Sequence, residues 1–483
     1  MSETHSRTAP FGLALENHYA RLPGEFYTRM PAEKVGNHPV LLHANPKAGA
    51  LIGLDPKAFA DPDFVPVFCG HKPLGDFSPL AMVYSGHQFG AWAGQLGDGR
   101  ALLIGQARDM AGQLWDVQLK GAGLTPYSRF GDGRAVMRST IREYLGSEAI
   151  GALGIATSRA LCIISTGETV MREQPEPGAI LTRLAKSHIR FGHFEHFHHR
   201  GKHEQVRLLA DHVIGEYFPE FIGDHAGWFG EVVRRTAELM AAWQAAGFAH
   251  GVMNTDNMSI LGLTLDYGPY GFLDAYDPDF ICNHTDEGGR YSFSNQPGIG
   301  QWNLRALALA LSSLIDSDRL VEQLNAYESI FVTRFRALMR AKVGLVSDRE
   351  GDDDLIRSLL VLMAKARADY TLTFRQLPQA AESWLALFGE ARSEAPAWLA
   401  RYRARMDGEG GRTAAMNAVN PKYVLRNWVA ETAIRAVEDR GDAGPLDRVL
   451  RLVQSPYAEH AGDDAWALPP APEYCGLSVS CSS

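Results

Sequence analysis

The chain has 483 residues, of which 46% are hydrophobic and 21% are charged, as in an ordinary globular protein. This length accommodates about three domains, or one large two-lobed unit with an extension. The composition excludes the disordered, collagen-like and coiled-coil classes. The 47 basic and 56 acidic side chains give a net charge of −9, which provides no overall attraction for nucleic acid.

The N-terminal sequence and the cysteines indicate the cellular compartment. The opening residues MSETHSR lack the apolar core of a secretory signal, and the chain has no run of about 18 uncharged apolar residues. The five cysteines form no CxxC pair. These features predict a cytoplasmic protein in a reducing compartment, with neither a membrane nor a nucleic acid as partner.

Along the chain, the first 80 residues are rich in proline and aromatic residues without a clear period, which indicates a wrapping segment. Residues 81–180 then contain short apolar runs separated by glycine. These runs predict strands at 101–105, 114–119 and 161–164. Apolar residues three and four positions apart predict a helix over 138–150.

The second half of the chain is predicted to be mainly helical, with helices over 208–217 and 232–243 and from residue 301 onward. The exception is a pair of short strands, 258–261 and 263–266, around Gly262. The whole pattern predicts an α+β protein built from a wrapping segment (1–80), a small lobe (81–180), a large lobe (181–300) and a helical C-terminal extension (301–483).

The segment GHQFGAWAGQLGDGR, residues 86–100, contains five glycines and ends where a predicted strand begins. Glycine lets backbone N–H groups approach a polyanion closely, so the segment is a candidate phosphate cradle. A tight turn without a ligand is the alternative. The chain has no GxxxxGK[ST] motif, which excludes a Walker-type P-loop.

Two charged residues follow in the order found in kinases. Lys120 ends a predicted strand, and Glu143 lies in the helix that follows. Kinase-like folds use such a lysine, held by a helix glutamate, to bind nucleotide phosphates. Taken alone, each residue is better explained as a solvated surface charge. A glycine-flanked acid and base, GDGR at 131–134, lies between them.

The most informative segment is HGVMNTDNMS, residues 250–259, with LDYG at 265–268. Asn257 and Asp266 have the order and spacing of the two residues that hold Mg²⁺ in protein kinases. Together with the lysine and glutamate upstream, they predict a bilobal protein-kinase-like fold.

The usual kinase base is missing from this segment. It stands five residues before the asparagine, and here that position is Val252. Two interpretations remain open: a nucleotide-binding pseudokinase, or a site in which Asp256 takes a different role with the nucleotide in a different pose.

Further basic residues and histidines follow. Arg183 and Arg190 are candidates for contact with phosphate. No carboxylate or cysteine spacing supports a metal site among the nearby histidines, which are interpreted as a partly solvated helix start: His193, His196, His198, His199 and His203.

Taken together, the motifs resemble the selenoprotein O family, whose bacterial branch is called YdiU. The matching segments run from about residue 84 to the C-terminus and include SGHQFGAWAGQLGDGRA, DVQLKGAG, TPYSR, GDGRAV, IREYL, RFGHFE, HGVMNTDNMSI, LDYGP, CNHTD, NPKYVLRN and CSS. The resemblance implies a kinase-like fold that binds ATP in an inverted pose. It also implies transfer of AMP to Ser, Thr or Tyr hydroxyls of other proteins with Mg²⁺, or with Mn²⁺.

The resemblance also implies roles for individual residues. Lys120 and Glu143 would form the ion pair, Asp256 would accept a proton, and Asn257 and Asp266 would hold the metal ion. The remaining predicted residues would line the nucleotide: Gly97, Gly99, Arg100, Asp132, Gly133, Arg183 and Arg190. Two alternatives stay open, namely UMP transfer from UTP with Mn²⁺ and a catalytically inactive nucleotide-binding scaffold.

The C-terminal tail resembles that of the family, in which a selenocysteine often stands near the end. This chain has Cys481 there. The resemblance favours a reversible disulfide between Cys481 and Cys282, with Cys475 as an exchange partner, that ties the tail over the activation segment. Unrelated thiols in a reducing compartment are the alternative.

Overall fold

The structure is a computed structural model that describes residues 10–407 and 412–477. Its strands are β1 (Leu15–Glu16), β2 (Tyr27–Arg29), β3 (Val40–Ala44), β4 (Leu80–Met82), β5 (Gly86–Gln88), β6 (Ala91–Ala93), β7 (Ala101–Arg108), β8 (Leu114–Lys120), β9 (Ala135–Val136), β10 (Arg159–Met171), β11 (Pro175–Ala185), β12 (Phe248–Ala249) and β13 (Gly271–Phe272).

The α-helices of the same described residues are α1 (Pro46–Ala50), α2 (Phe64–Phe68), α3 (Met137–Ala152), α4 (Phe191–His198), α5 (His203–Tyr217), α6 (His225–Ala246), α7 (Gln296–Leu311), α8 (Ser317–Lys342), α9 (Asp352–Ala366), α10 (Tyr370–Gln376), α11 (Ala381–Ala386), α12 (Ala395–Met406), α13 (Arg412–Val419), α14 (Asn427–Arg440) and α15 (Gly444–Val453). The predicted mixture of helices and strands is confirmed, and its centre is a large antiparallel sheet.

The main sheet has the order β2-β4-β7-β8-β11-β10-β3, with β1 paired to β7 and β9 paired to β11. The wrapping segment therefore contributes strands to the sheet. Its helix α2 packs Phe64 and Phe68 into an apolar cluster that also contains Val117 and Leu119 of β8.

Strand β8 shows why the sheet has one apolar and one polar face at its centre. Trp115, Val117 and Leu119 alternate with polar residues and join the apolar cluster on one side. The opposite side carries Gln118 and Lys120. The register places Arg183 of β11 directly opposite Gln118, so these polar side chains share one face of the sheet.

Helix α3 covers this polar face. Ile141, Tyr144 and Leu145, three and four residues apart, are fully buried and hold the helix against the sheet. Glu143 lies on the same helix and is 2% exposed. The predicted helix over 138–150 is confirmed, and it carries a carboxylate into the interior.

The segment after α6 forms the loops that face this sheet. The predicted strands 258–261 and 263–266 are wrong, because only isolated bridges form there. Met258 pairs with Thr264 across the turn, whereas Ser259 pairs with Arg190 and Thr264 also pairs with Thr157. Gly262 has a left-handed backbone at φ +71°, and the residues on either side of the turn bridge to distant segments instead of extending the hairpin.

The helical C-terminal region is tied to these loops by a buried arginine. Arg426, 1% exposed, contacts Asp274 at 2.6 Å and Asp369 at 2.9 Å. Helices α7 to α15 otherwise pack their own apolar faces, as the amphipathic pattern predicts. No helix among the described residues is long and apolar enough to cross a bilayer.

Lys342 at the end of α8 is buried without a carboxylate partner among the described residues. Its Nζ lies 5.3 Å from the ring centre of Tyr370 and 4.5 Å from that of Phe374. Burial lowers the pKa of Lys342 to about 7. The charged lysine therefore lowers the free energy of unfolding at neutral pH, and the two rings offset only part of that cost.

We expect Lys342→Met to raise the free energy of unfolding at pH 7 by about 2–4 kcal/mol, since each unit of pKa shift corresponds to about 1.4 kcal/mol. Between pH 7 and about 10 the unfolded chain binds more protons than the folded one, so the wild type gains stability as the pH rises. The advantage of the methionine variant should shrink over that range. Urea unfolding at several pH values measures this, and the exposed Lys365→Met is the control. Equal free energies of unfolding of Lys342→Met and the wild type at pH 7 would contradict this prediction.

Candidate active site

A cleft of about 910 Å³ lies between the polar face of the sheet and the loops after α6. It brings together residues that are far apart in the sequence. Eleven of the residues predicted from the sequence line it: Gly97, Gly99, Arg100, Lys120, Asp132, Gly133, Arg183, Arg190, Asp256, Asn257 and Asp266.

The twelfth predicted residue, Glu143, lies directly behind the cleft. One carboxylate oxygen accepts a hydrogen bond from Lys120 Nζ, and the other accepts from Arg183 Nη1 at 3.0 Å. Burial opposes ionisation, but Lys120 and Arg183 hold the pKa of Glu143 below its usual value. One buried carboxylate thus positions two cations at the wall of the cleft.

Asp266 is held by two guanidinium groups. Its Oδ1 accepts from Arg183 Nη1 at 2.6 Å, and its Oδ2 accepts from Arg190 Nη1. Although burial favours the neutral acid, Arg190 and Arg183 keep the pKa of Asp266 well below its ordinary range. Asp266 also has a left-handed backbone, with φ 58°, which aspartate tolerates better than most residues.

Asn257 also lines the cleft and lies on a short 3₁₀ turn, Thr255–Asn257. Its amide nitrogen donates to the Val252 carbonyl at 3.0 Å, so the amide oxygen is left for a ligand. A carboxylate oxygen and an amide oxygen beside a nucleotide site are the donors that Mg²⁺ accepts. Asn257 and Asp266 therefore fit a divalent ion, and its binding is coupled to the arginines on Asp266.

Asp256, the neighbour of Asn257, is in a different environment. It is 8% exposed, and its carboxylate has one hydrogen bond, from Gln88 Nε2 to Oδ2 at 3.3 Å. Oδ1 is buried without a hydrogen-bond partner. Burial raises the pKa of Asp256 to about 7, the range in which a carboxylate acts as a proton acceptor near neutral pH.

The glycine positions at the cleft are required by close packing. A Cβ on Gly97, which has φ +119°, would lie 2.6 Å from the ring of Tyr127, and one on Gly133 would lie 2.2 Å from the backbone of Gly123. Asp132, which also lines the cleft, accepts a hydrogen bond from Arg172 Nη1 at 2.7 Å. That Gly97, Gly133 and Asp132 contact a nucleotide phosphate stays a prediction.

Sequence analysis missed Asp98 and Gln118. Asp98 is 3% exposed, lines the cleft, and accepts from the Met82 N–H at 3.1 Å and from Gln118 Nε2 at 3.3 Å. Burial raises the pKa of Asp98. Gln118 accepts from Arg183. The available signals were the glycines flanking Asp98 and a polar residue in the middle of an apolar strand.

Cys282 is 7% exposed. Its predicted partner, Cys481, lies outside the described residues, so the disulfide stays a prediction.

Comparison with known proteins assigns the chain to a family. The sequence model of the family described as "Protein adenylyltransferase SelO" matches residues 11–454. Proteins named "Protein nucleotidyltransferase YdiU" are 51% identical in Bordetella parapertussis, with 98% of both chains covered, and 52% identical in Cronobacter sakazakii, with 96% of this chain and 97% of that one covered. The relative of the same name from Myxococcus xanthus is 50% identical, over 98% of this chain and 99% of its own length. The family and the enzyme class predicted from the motifs are confirmed: the chain belongs to the protein adenylyltransferase SelO family of nucleotidyltransferases.

Proposed function

We propose that this protein transfers AMP from ATP to Ser, Thr or Tyr hydroxyls of other proteins, with Mg²⁺ or Mn²⁺ as the metal ion. The observation that carries the proposal is the network of Lys120, Glu143, Arg183 and Asp266 at one cleft, with Asp256 and Asn257 facing it. The family description and the names of the relatives support nucleotidyl transfer.

The proposal includes a kinase-like arrangement of two lobes. The small lobe (81–180) would supply the sheet, α3 and the glycine-rich segments, and the large lobe (181–300) would supply the loops with the metal ligands. The wrapping segment (1–80) and the helical extension (301–483) would support them. In favour of this division, the cleft lies where the sheet meets the loops.

In the proposed reaction, the substrate hydroxyl oxygen attacks the α-phosphorus of ATP. The bond from that phosphorus to the bridging oxygen breaks, and pyrophosphate leaves. Asp256 accepts the hydroxyl proton, because its carboxylate forms no ion pair with the described residues and burial raises its pKa to about 7. A divalent ion on Asn257 and Asp266, when bound, neutralises phosphate charge.

The buried cations contribute the remaining electrostatic stabilisation. Lys120, Arg183 and Arg190 line the cleft with their charges fixed by carboxylates before any nucleotide binds. Preorganised charges of this kind stabilise the charge that develops on a leaving pyrophosphate without reorganisation.

Labelled nucleotides test the proposal. Purified enzyme is incubated with Mg²⁺ or Mn²⁺ and with ATP labelled at the α- or γ-phosphate, or with α-labelled UTP, and protein-bound label and intact mass are measured. We expect α-label from ATP, and the mass of AMP, on protein. Label on protein from γ-labelled ATP would indicate an ordinary kinase. Preferential label from UTP with Mn²⁺ would indicate UMP transfer. No label from any nucleotide would indicate a scaffold that only binds nucleotide.

We expect Lys120→Ala to lower the rate of AMP transfer by about 10²–10³-fold, the loss typical of removing one preorganised donor. Lys120→Arg should also be slow, since a planar guanidinium does not fit the place of a compact ammonium. Glu143→Gln should be slow as well, because it leaves two cations buried around a neutral amide. Transfer rates at saturating ATP measure all three, with Arg138→Gln, on α3 but paired with Glu176 and not lining the cleft, as the control. A fully active Glu143→Gln would contradict the ion-pair role.

A further inference from the structure

A group of metal-binding side chains lies next to the cleft but outside it. His87 is on β5, Glu195 is on α4, and His199 follows the last residue of α4. One donor atom from each of the three residues lies within 4.8 Å of the others. His87 Nδ1 and Glu195 Oε1 are already 2.6 Å apart.

Glu195 provides an independent indication of a ligand. The residue is 1% exposed, and its Oε2 is buried without a hydrogen-bond partner in the part of the chain that the structure describes. A buried carboxylate oxygen without a partner is costly and calls for a specific reason in a native structure. A cation bound between this carboxylate and the two histidines supplies one.

We propose that His87, Glu195 and His199 form a binding site for a divalent transition-metal ion of the zinc type. Two imidazole nitrogens and one carboxylate oxygen are a recurrent zinc donor set, with metal–ligand distances of about 2.0–2.2 Å and a fourth position open to water. The ion takes the place of the proton between His87 and Glu195, and that proton goes to solvent.

The accessible ligands allow the site to tighten around an ion. His199 is exposed and His87 is half-buried, so small side-chain rotations can move His199 toward the carboxylate and widen the contact between His87 and Glu195 to admit an ion.

The sequence interpretation of this histidine cluster missed the site for a simple reason. Glu195 and His199 are four residues apart at the end of one helix, but the third ligand lies 108 residues upstream of the glutamate. The buried histidines of the cluster have other contacts: His193 Nδ1 accepts from the Arg190 N–H at 3.0 Å, and His196 Nδ1 lies 2.9 Å from Ser85 Oγ.

The site would connect α4 to the β5–β6 hairpin, which packs on the turn Thr255–Asn257. The backbone N–H of His87 donates to Thr255 Oγ1 at 2.7 Å, and the next residue, Gln88, donates to the Asp256 carboxylate. A metal ion at His87 would thus hold Gln88 in place beside Asp256. Its role is to position the hairpin, and it takes no part in the chemistry at phosphate.

Zinc binding to the intact enzyme tests the proposal without any nucleotide. Dialysed protein is titrated with Zn²⁺ by calorimetry in excess Mg²⁺, which occupies oxygen sites and leaves imidazole sites open. We expect one Zn²⁺ per chain in the wild type. Removal of a residue that only supports a metal ligand typically weakens metal binding about 10–100-fold. His199→Ala removes a ligand itself, at an exposed position, and should weaken Zn²⁺ binding by more than this.

The matched control is His203→Ala, an exposed histidine of the same cluster that is not in the group of three. It should bind Zn²⁺ like the wild type, and His87→Ala should behave like His199→Ala. Co²⁺ in place of Zn²⁺ should give the intense visible absorption of a four-coordinate site in the wild type and lose it in His199→Ala. The proposal is overturned if the wild type binds no Zn²⁺, if His199→Ala binds it equally well, or if His203→Ala abolishes binding.

Discussion

Replacing Asp266 with alanine is expected to abolish AMP transfer and also to destabilise the fold. The variant loses a proposed ligand of the divalent ion, and the loss of several kcal/mol of charge stabilisation corresponds to about a 10³-fold lower rate or more. It also leaves Arg183 and Arg190, 4% and 2% exposed, without the carboxylate between them. Breaking a buried ion pair costs about 3–5 kcal/mol.

Asp266→Asn separates the two effects. Asparagine adopts the left-handed backbone of this position and keeps one oxygen that accepts a hydrogen bond from a guanidinium group, whereas its NH₂ group faces the other guanidinium. It should therefore be nearly as inactive as alanine but more stable. Transfer from α-labelled ATP and thermal melting of both variants measure this, with the exposed Asp211→Ala as the control. Wild-type transfer by either variant at saturating Mg²⁺ would refute the role of Asp266.

Asp256→Asn is also expected to be slow, but without a loss of stability. Loss of a proton acceptor should lower kcat by about 10²–10⁴-fold. ATP affinity should remain close to that of the wild type, because no cation or metal contact is removed. The melting temperature should stay the same or rise, since the substitution replaces a buried carboxylate that no cation neutralises.

Steady-state kinetics, an ATP titration and thermal melting of Asp256→Asn provide the three readouts. The Asp266→Asn enzyme serves as the comparison, because it should lose both activity and stability. A large loss of ATP affinity in Asp256→Asn would assign Asp256 to the metal site and not to proton transfer.

The fold was predictable from the sequence wherever one segment determines its own structure. The alternating β8 and the amphipathic α3 carry their patterns in neighbouring residues. The failed strands around Gly262 have strand-like composition, but their pairing partners were decided by distant residues such as Thr157. The pairing of β1, β2 and β3 with the main sheet is equally non-local and left no signal in a short window.

The site was predictable to the extent that its motifs follow a known order. Lys120, Asn257 and Asp266 were identified from their spacing, and the structure places them at one cleft. The contact of Arg183 with both Glu143 and Asp266 was not predictable, because it depends on the register of β11 against β8. Their catalytic roles stay predictions until the variants are measured.

The position of Arg183 between two carboxylates has a thermodynamic consequence. If a nucleotide phosphate attracts this guanidinium, the bond between Arg183 and Asp266 weakens and the carboxylate becomes available to a cation. Because such linkage is reciprocal, the divalent ion must increase nucleotide affinity by the same factor as the nucleotide increases ion affinity. Each component alone should therefore bind weakly, and the ternary complex should form cooperatively whichever component is added first.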